Sequence, residues 1–337
     1  MTEKNKVGNG IWYTLLFSIF SFYLIFKLIA KVPLKESFSG INWFYIGMGF
    51  ISLFLVWLAK SYRMHMIGIG MGLRIELLYF LRLYLATCFI SHVTPFNSGG
   101  TALQIYLLHK KGITLGKATA LTVVDLGLNT AMFFILIPVA LITNLGIIKS
   151  IGRFNLNFSF WPWLLLLLLL GVVTYFLYRY TGIWEKIKKW PWINRIGSFI
   201  QAKKWRNHLQ QEWSLFKESW LLLVRENPNS IFWAVIATIM YWFFYLLLAP
   251  IIFWAIGKPI SFFYLISWQL LFNFGQIFIP TPGGSGGSEL LLLYLFRNLT
   301  GPARVGTFVL LWKTYTFYST LIAGGYYFWR LTKKNNI

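Results

Sequence analysis

Apolar runs of about 20 residues recur along nearly the whole chain, and a run of that length crosses a bilayer as a helix. The 337 residues are 57% hydrophobic and only 12% charged, whereas soluble domains carry about 25% charged residues. This composition excludes a soluble enzyme and a disordered chain. A disulfide scaffold is also excluded, because the chain has a single cysteine, Cys88. The sequence therefore predicts an all-α polytopic membrane protein.

Six of the runs are long enough to be full transmembrane helices. Lysines and arginines flank these runs, and Arg63 and Arg74 lie in one predicted loop between runs. Under the positive-inside rule, their distribution predicts that the N and C termini are cytoplasmic. The net charge of +22 favours anionic lipid headgroups over nucleic acid as partners, and we expect the cell (plasma or inner) membrane as the location. The six predicted spans are residues 11–30, 41–59, 117–144, 160–180, 230–257 and 302–330.

Two further apolar runs, residues 75–93 and 262–279, each end at a break rich in proline and glycine. A short apolar stretch follows each break, about 14 Å long in the first case and about 18 Å in the second at 1.5 Å per residue. Neither stretch crosses about 30 Å of hydrocarbon. The pattern therefore predicts two re-entrant helical hairpins, at about residues 75–109 and 262–299. The predicted breaking residues are Pro95, Pro280, Pro282, Gly283 and Gly284.

The two breaks share one motif. Thr-Pro-x-x-Ser-Gly-Gly-Thr-x-Leu begins at residue 94 and recurs at residue 281 with serine for the second threonine, so that seven positions match at an offset of 187. If each hairpin returns to its side of entry, residues 1–150 and 151–337 have opposite orientations. This predicts an inverted repeat, the architecture of many alternating-access transporters, whose substrate sites lie at the repeat interface.

The second half also contains a basic segment, residues 181–230. It holds nine lysines and arginines, four glutamates and six tryptophans. Basic side chains interleaved with tryptophan are typical of a helix that lies in the membrane interface. We therefore expect a cytoplasmic interfacial segment here.

Ionisable residues at bilayer depth are candidates for function. Asp125 lies about nine residues into its predicted span and Lys313 about twelve residues into the last one, and the two are equivalent in the repeat. One interpretation is a lipid headgroup site, in which Lys313 contacts a phosphate and Asp125 an amine, a hydroxyl or a proton. The other is an ion pair between them that holds the halves together. Glu289 begins the second return helix, where the alternative to a binding role is helix capping.

The glycine-rich breaks would place backbone amides and helix N-termini at membrane depth, an environment suited to an anion such as phosphate. The alternative is that glycine and proline only form the turns. No Cys/His/Asp cluster has metal-ligand spacing and no nucleotide motif occurs in its required context, so neither a metal nor a cofactor is expected. The predicted headgroup-binding residues are Asp125, Lys313, Glu289, Gln104, Asn129, Ser98, Gly99, Gly100, Ser285, Gly286 and Gly287.

The first break, the long helix with an acid, the sequence Pro-Thr-Pro-Gly-Gly-Ser-Gly-Gly-Ser-Glu at residues 280–289, and the final helix with a lysine before Thr-Tyr together resemble the bacterial and archaeal flippase-like family. That family includes the membrane domain of lysylphosphatidylglycerol synthase. The resemblance covers essentially the whole chain and implies movement of a phospholipid or lipid-linked headgroup between leaflets. It places motif positions at Pro95, Gly99, Gly100, Asp125, Pro282, Gly283, Glu289 and Lys313.

The resemblance also implies an alternative to transport as the function. Bifunctional members carry a soluble aminoacyl-transferase domain after the membrane region, which this sequence lacks, so we do not expect an enzyme. The first hairpin has Gln104 and lacks the Pro-x-Arg-x-Gly-Glu of many relatives. The alternative function is a membrane subunit or scaffold of a lipid-modifying transferase, for aminoacyl or glycosyl transfer to lipid. The expected partners are therefore membrane phospholipids of anionic character, a soluble or membrane lipid-modifying enzyme, and a second copy of this chain.

Overall fold

The computed structural model of the protein describes residues 39–143 and 203–333, of which 86% are helical. The all-α prediction is therefore confirmed for the described residues. Residues 39–143 and 215–333 belong to one compact unit, whereas residues 203–214 belong to a second. The predicted spans 11–30 and 160–180 lie outside the described residues, as do residues 181–202 of the predicted interfacial segment.

Residues 39–143 contain four α-helices. Asn42 caps the first of them by accepting a hydrogen bond from the Phe44 amide at 3.1 Å, which satisfies one of the free donors at the helix start. Gly72 and Gly112 follow the first and third helices with positive φ angles, a conformation that glycine adopts without strain. The helices are α1 (Trp43–Gly70), α2 (Leu77–Val93), α3 (Gly99–Lys110) and α4 (Leu115–Thr143).

Residues 203–333 contain seven α-helices and two π-helical turns, Leu222–Glu226 and Thr314–Tyr318. Pro228 and Pro302 each occupy the first position of a helix, where the missing N–H leaves no bond unmade. The helices are α5 (Lys203–Leu221), α6 (Pro228–Leu246), α7 (Leu248–Ala255), α8 (Phe262–Gln276), α9 (Gly287–Thr300), α10 (Pro302–Lys313) and α11 (Ser319–Lys333).

Three stretches within the described residues are long and apolar enough to cross a membrane: Trp43–Gly70, Leu115–Pro138 and Pro228–Ala255. Each overlaps a predicted span. The last predicted span, residues 302–330, is helical throughout but is interrupted by the π-helical turn after Lys313. The total of six full spans and the inverted repeat stay predictions.

The predicted loop that contained Arg63 is wrong. Helix α1 does not end at Ala59 but continues to Gly70, so that Arg63 lies inside it. Beyond the charged positions the chain becomes apolar again, and Met64 and Ile67 are fully buried in the core formed with α2 and α4. The burial of this stretch extends the helix, and the charged side chains find a partner inside the protein, as described below.

Both predicted helix–break–helix segments are present. Helix α2 packs against α3 across a 3₁₀ turn at Pro95–Asn97, and α8 packs against α9 across a 3₁₀ turn at Pro282–Gly284. The shapes match the predicted hairpins, and their re-entry into a membrane stays a prediction.

The backbone repeats what the sequence repeats. Thr94 and Thr281 are both extended, and the second and third residues after each of them have positive φ angles between 54° and 66°. In each turn the serine amide donates to the proline carbonyl, at 3.2 Å in the first and 3.1 Å in the second. The same local sequence therefore produces the same turn twice.

The two turns pack against each other. Gly283 lies at this contact with φ of 60°, and a Cβ atom there would lie only 2.8 Å from the carbonyl oxygen of His92. A side chain at this position would therefore separate the turns.

Two apolar cores flank this contact. One packs α1 to α4 around residues such as Phe80, and the other packs α7 to α10 around Phe253 and Phe308. Helix α11 from the second half lies along α2 from the first, where a Cβ atom on Gly324 would collide with the Leu85 carbonyl. This close crossing ties the C-terminal helix to the first hairpin.

Candidate functional site

Asp125 is the centre of a buried three-charge cluster. Its two carboxylate oxygens accept from Lys60 Nζ at 2.6 Å and from Arg63 Nε at 2.8 Å, both on α1. The side chains of Asp125 and Arg63 are 5% and 0% exposed, whereas that of Lys60 is 14% exposed. Asp125 follows the start of α4 by ten residues, or about 15 Å, which is half of a bilayer's hydrocarbon thickness.

The guanidinium of Arg63 lies among polar and aromatic side chains. Its Nη1 atom makes long hydrogen bonds of 3.4 Å to Asn129 Oδ1 and Thr238 Oγ1. Its central carbon lies 5.5 Å from the ring centre of Tyr241, and Lys60 Nζ lies 5.9 Å from that of Tyr84. Both distances are within the range of cation–π attraction.

A second buried pair joins Lys313 and Glu289. Lys313 Nζ lies 3.2 Å from Glu289 Oε1, and the two side chains are 3% and 0% exposed. The hydroxyl of Ser288 donates to Glu289 Oε2 at 3.0 Å. Lys313 lies at the end of α10 and Glu289 in the first turn of α9, so the pair holds together two consecutive helices of the second half.

Of the two interpretations of Asp125 and Lys313, the ion pair between them is wrong. Each of these residues has its own partner of opposite charge within its own half of the chain. These partners are not predicted by the sequence, because its charge pattern places Arg63 in a loop and Glu289 is interpreted as either a headgroup ligand or a helix cap. That Asp125 and Lys313 lie at matching depth stays a prediction.

A cavity of about 180 Å³ lies among α1, α2, α6, α8, α10 and the turn at Pro282–Gly284. Its walls include Tyr84 and Tyr241, the rings that contact the first cluster, and also Lys313 from the second pair. The cavity therefore lies between the two charged groups. Its other polar lining residues are Cys88, His92, Tyr245, Gln276, Ser288, Thr316 and Thr320.

The π-helical turn after Lys313 forms part of the cavity wall through Thr316 and Phe317. His92 of the first hairpin approaches this wall, with its Nε2 atom 2.8 Å from Thr320 Oγ1 and its ring centre 4.8 Å from that of Phe317. Single π-helical turns inside α-helices occur frequently at functional sites. Here the turn and the first hairpin meet at the cavity.

The remaining predicted residues occupy varied places. The Gly99 amide donates to Thr94 Oγ1 at 3.0 Å, so it is not available to an anion, and Gly100 packs tightly against Ser91. Ser98 is exposed, whereas Gln104 is buried. None of these line the cavity.

In the second break, Ser285 is buried and its hydroxyl has no hydrogen-bond partner among the described residues. Gly286 has φ of 83° and Gly287 packs against Ile279. Among the predicted breaking residues, Gly283 lines the cavity, whereas Pro280 is exposed.

Sequence reasoning missed Lys60 and Arg63 as members of the site. Two signals were present: the residues are three apart, which places them on one face of a helix, and an apolar stretch follows them. His92 was missed because an isolated histidine in an apolar run carries no spacing signal.

A family profile and one relative both match the chain over most of its length. A family profile described as "Lysylphosphatidylglycerol synthase TM region" matches residues 11–324. The chain is also similar to a protein described as "UPF0104 membrane protein" from Archaeoglobus fulgidus, with 24% identity over 305 residues that cover 89% of this chain and 90% of the relative. No solved structure matches the chain.

Proposed function

Since the chain belongs to the family described as the lysylphosphatidylglycerol synthase TM region, we propose that it moves a phospholipid or a lipid-linked headgroup between the two membrane leaflets. The observation that carries this proposal is the cavity lined by both hairpins and by Lys313. Polar side chains in the wall of this cavity give a headgroup an alternative to hydrocarbon, into which its transfer is costly.

The size of the cavity supports a headgroup rather than a whole lipid as its occupant. About 180 Å³ accommodates a phosphate ester with a small polar substituent, while the acyl chains stay in the surrounding lipid. Lys313 would contact the headgroup, and Glu289 would hold the lysine in place between transport events. This assignment keeps Lys313 and Glu289 as site residues and makes Asp125 part of a separate cluster.

The contact between the two turns supports an alternating mechanism. In inverted-repeat transporters, broken helices form the substrate site near the midplane, and one repeat rocks or gates against the other around it. Here Gly283 and His92 join the two hairpins at the cavity wall. A small displacement at that contact would open the cavity toward one side or the other.

Leaflet exchange of fluorescent lipids tests the proposal. Purified protein in liposomes should accelerate exchange relative to protein-free liposomes, and Lys313→Met should remove the acceleration because it removes the cationic group in the cavity. Arg297→Met is the matched control, since Arg297 is exposed on α9. No exchange by a folded wild-type protein for any phospholipid tested would refute the proposal.

Labelling of introduced cysteines tests the topology. In a Cys88→Ala background, cysteine at Lys111 should react from the cytoplasmic side and cysteine at Asn298 from the opposite side. These residues follow the first hairpin and lie near the end of the second, respectively. The opposite labelling pattern would contradict the inverted repeat. It would not affect the lipid-exchange test, which measures transport and not topology.

The family description favours one second candidate, a membrane partner of a lipid-modifying enzyme. The recruiting segment would include the start of α5, whose sequence contains Lys203, Lys204 and Arg206. Replacing these three residues with glutamine should leave lipid exchange by the purified protein unchanged. Loss of lipid modification in cells with exchange intact would support recruitment.

A further inference from the structure

We propose that Lys60 and Arg63 form a binding subsite for a phosphate monoanion, separate from the cavity and next to it. The inference rests on the proposed function and specifies the chemistry of its substrate: the headgroup carries a negative phosphate, which this cluster recognises. A free phosphate ion has the same chemistry, and the experiment below distinguishes the two sources.

Charge balance is the first argument. Among residues 39–143 and 203–333, Lys60 and Arg63 share one carboxylate, that of Asp125, so the cluster there carries one surplus positive charge. The other buried pair, Lys313 with Glu289, is balanced. An uncompensated cation at half the depth of a membrane helix is costly, and a bound anion would neutralise it.

Unused hydrogen-bond donors are the second argument. Arg63 is fully buried, and its Nη2 atom has no hydrogen-bond partner among the described residues. Its Nη1 atom makes only the two long bonds to neutral side chains. Lys60 uses one of its three protons on Asp125. Buried donors without acceptors are strongly disfavoured, and phosphate oxygens are the acceptors that a guanidinium fork suits best.

The position of Lys60 gives the subsite an entrance. Its side chain is 14% exposed, whereas Arg63 is 0% exposed, so an anion would meet the lysine first. The rings of Tyr84 and Tyr241 separate the cluster from the cavity that they line. Movement of these rings would connect the subsite to the cavity, so that a phosphate could reach Arg63 beside Asp125.

Ligand-dependent thermal stability of the purified protein in a neutral detergent tests the inference, because a ligand of the folded state raises the unfolding midpoint. The probes are inorganic phosphate, dihexanoyl phosphatidylglycerol, and dihexanoylglycerol, which lacks the phosphate. We expect the two phosphate-bearing probes to stabilise the protein and dihexanoylglycerol to have no effect. Stabilisation by phosphatidylglycerol well below the effective concentration of inorganic phosphate identifies a lipid headgroup, and the reverse order identifies free phosphate.

Variants of Lys60 locate the effect. Lys60→Gln removes a charge-assisted hydrogen bond and should weaken binding about 10- to 100-fold. Lys60→Arg keeps the charge and should retain binding, which shows that the site still folds. Lys111→Gln is the matched control, because Lys111 is exposed at the end of α3. Equal weakening in the control, or no stabilisation of the wild-type protein by either phosphate probe, would overturn the inference.

The outcomes separate this inference from the proposed function. Lipid exchange by wild-type protein without phosphate-dependent stabilisation would refute the subsite and leave transport standing. Stabilisation that depends on Lys60, without exchange of any lipid, would support the subsite and refute transport.

Discussion

Removing one member of the Glu289–Lys313 pair should destabilise the protein far more than removing both. At 3.2 Å and an effective dielectric constant of about 20, the attraction between the two charges is about 5 kcal/mol. Taking each ion out of water costs several kcal/mol, so the pair as a whole contributes little net stability. Glu289→Met leaves the Lys313 ammonium buried without its carboxylate, and we expect it to lower the free energy of unfolding by about 3–5 kcal/mol.

The double variant separates the interaction between the two side chains from the effect of losing each one. Glu289→Met combined with Lys313→Met replaces the pair by apolar side chains of similar volume, and its stability should return to within about 1 kcal/mol of the wild-type value. If each single variant costs at least about 3 kcal/mol and the double variant at most about 1 kcal/mol, the coupling energy is about 5 kcal/mol or more, and unfolding titrations of the four proteins in mixed micelles measure it. Additive effects, or single variants that each cost under about 1 kcal/mol, would refute the reasoning.

Lipid exchange by the same four proteins separates a structural pair from a transport site. The double variant should regain stability but not exchange, because the cavity has lost its lysine. Recovery of exchange together with stability would show that the pair serves folding alone. Arg297→Met, on the exposed side of α9, should change neither property.

Two further predictions concern the turns. Gly283→Ala should destabilise the protein by about 2–4 kcal/mol, because it adds strain at positive φ to a collision with the His92 carbonyl. Gly72→Ala, also at positive φ but in open space, should cost about 1 kcal/mol. Unfolding titrations compare the two variants, and equal effects would contradict the close contact between the turns. Thr94→Val should lower the free energy of unfolding by about 1–2 kcal/mol, because the Thr94 hydroxyl accepts from a backbone amide and donates to backbone carbonyls. Thr281→Val should be nearly neutral, because the Thr281 hydroxyl has no partner among the described residues. A larger loss at the second threonine would show that the two turns are not stabilised as the structure indicates.

The sequence by itself determined that the protein is helical and where its helices are interrupted. Apolar runs of membrane length left helices as the only reasonable elements, since a helix satisfies its own backbone hydrogen bonds. The breaks at residues 94–100 and 280–287 were visible because proline and glycine interrupt a helix for local, steric reasons. For the same reason the repeated motif predicted a repeated turn. The backbone conformations of the two turns agree up to the serine, where Ser98 is helical and Ser285 is extended.

Only the tertiary structure decided which charges meet. The sequence predicted Asp125 and Lys313 at matching depth, and it left open whether they bind a headgroup or pair with each other. A charged side chain pairs with whichever opposite charge the packing brings within a few ångströms, and α1 brings Lys60 and Arg63 to Asp125 while α9 brings Glu289 to Lys313. The extension of α1 past Lys60 depends likewise on burial of Met64 and Ile67 against other helices. Such partners are distant in sequence, so local pattern specifies the elements and packing specifies the site.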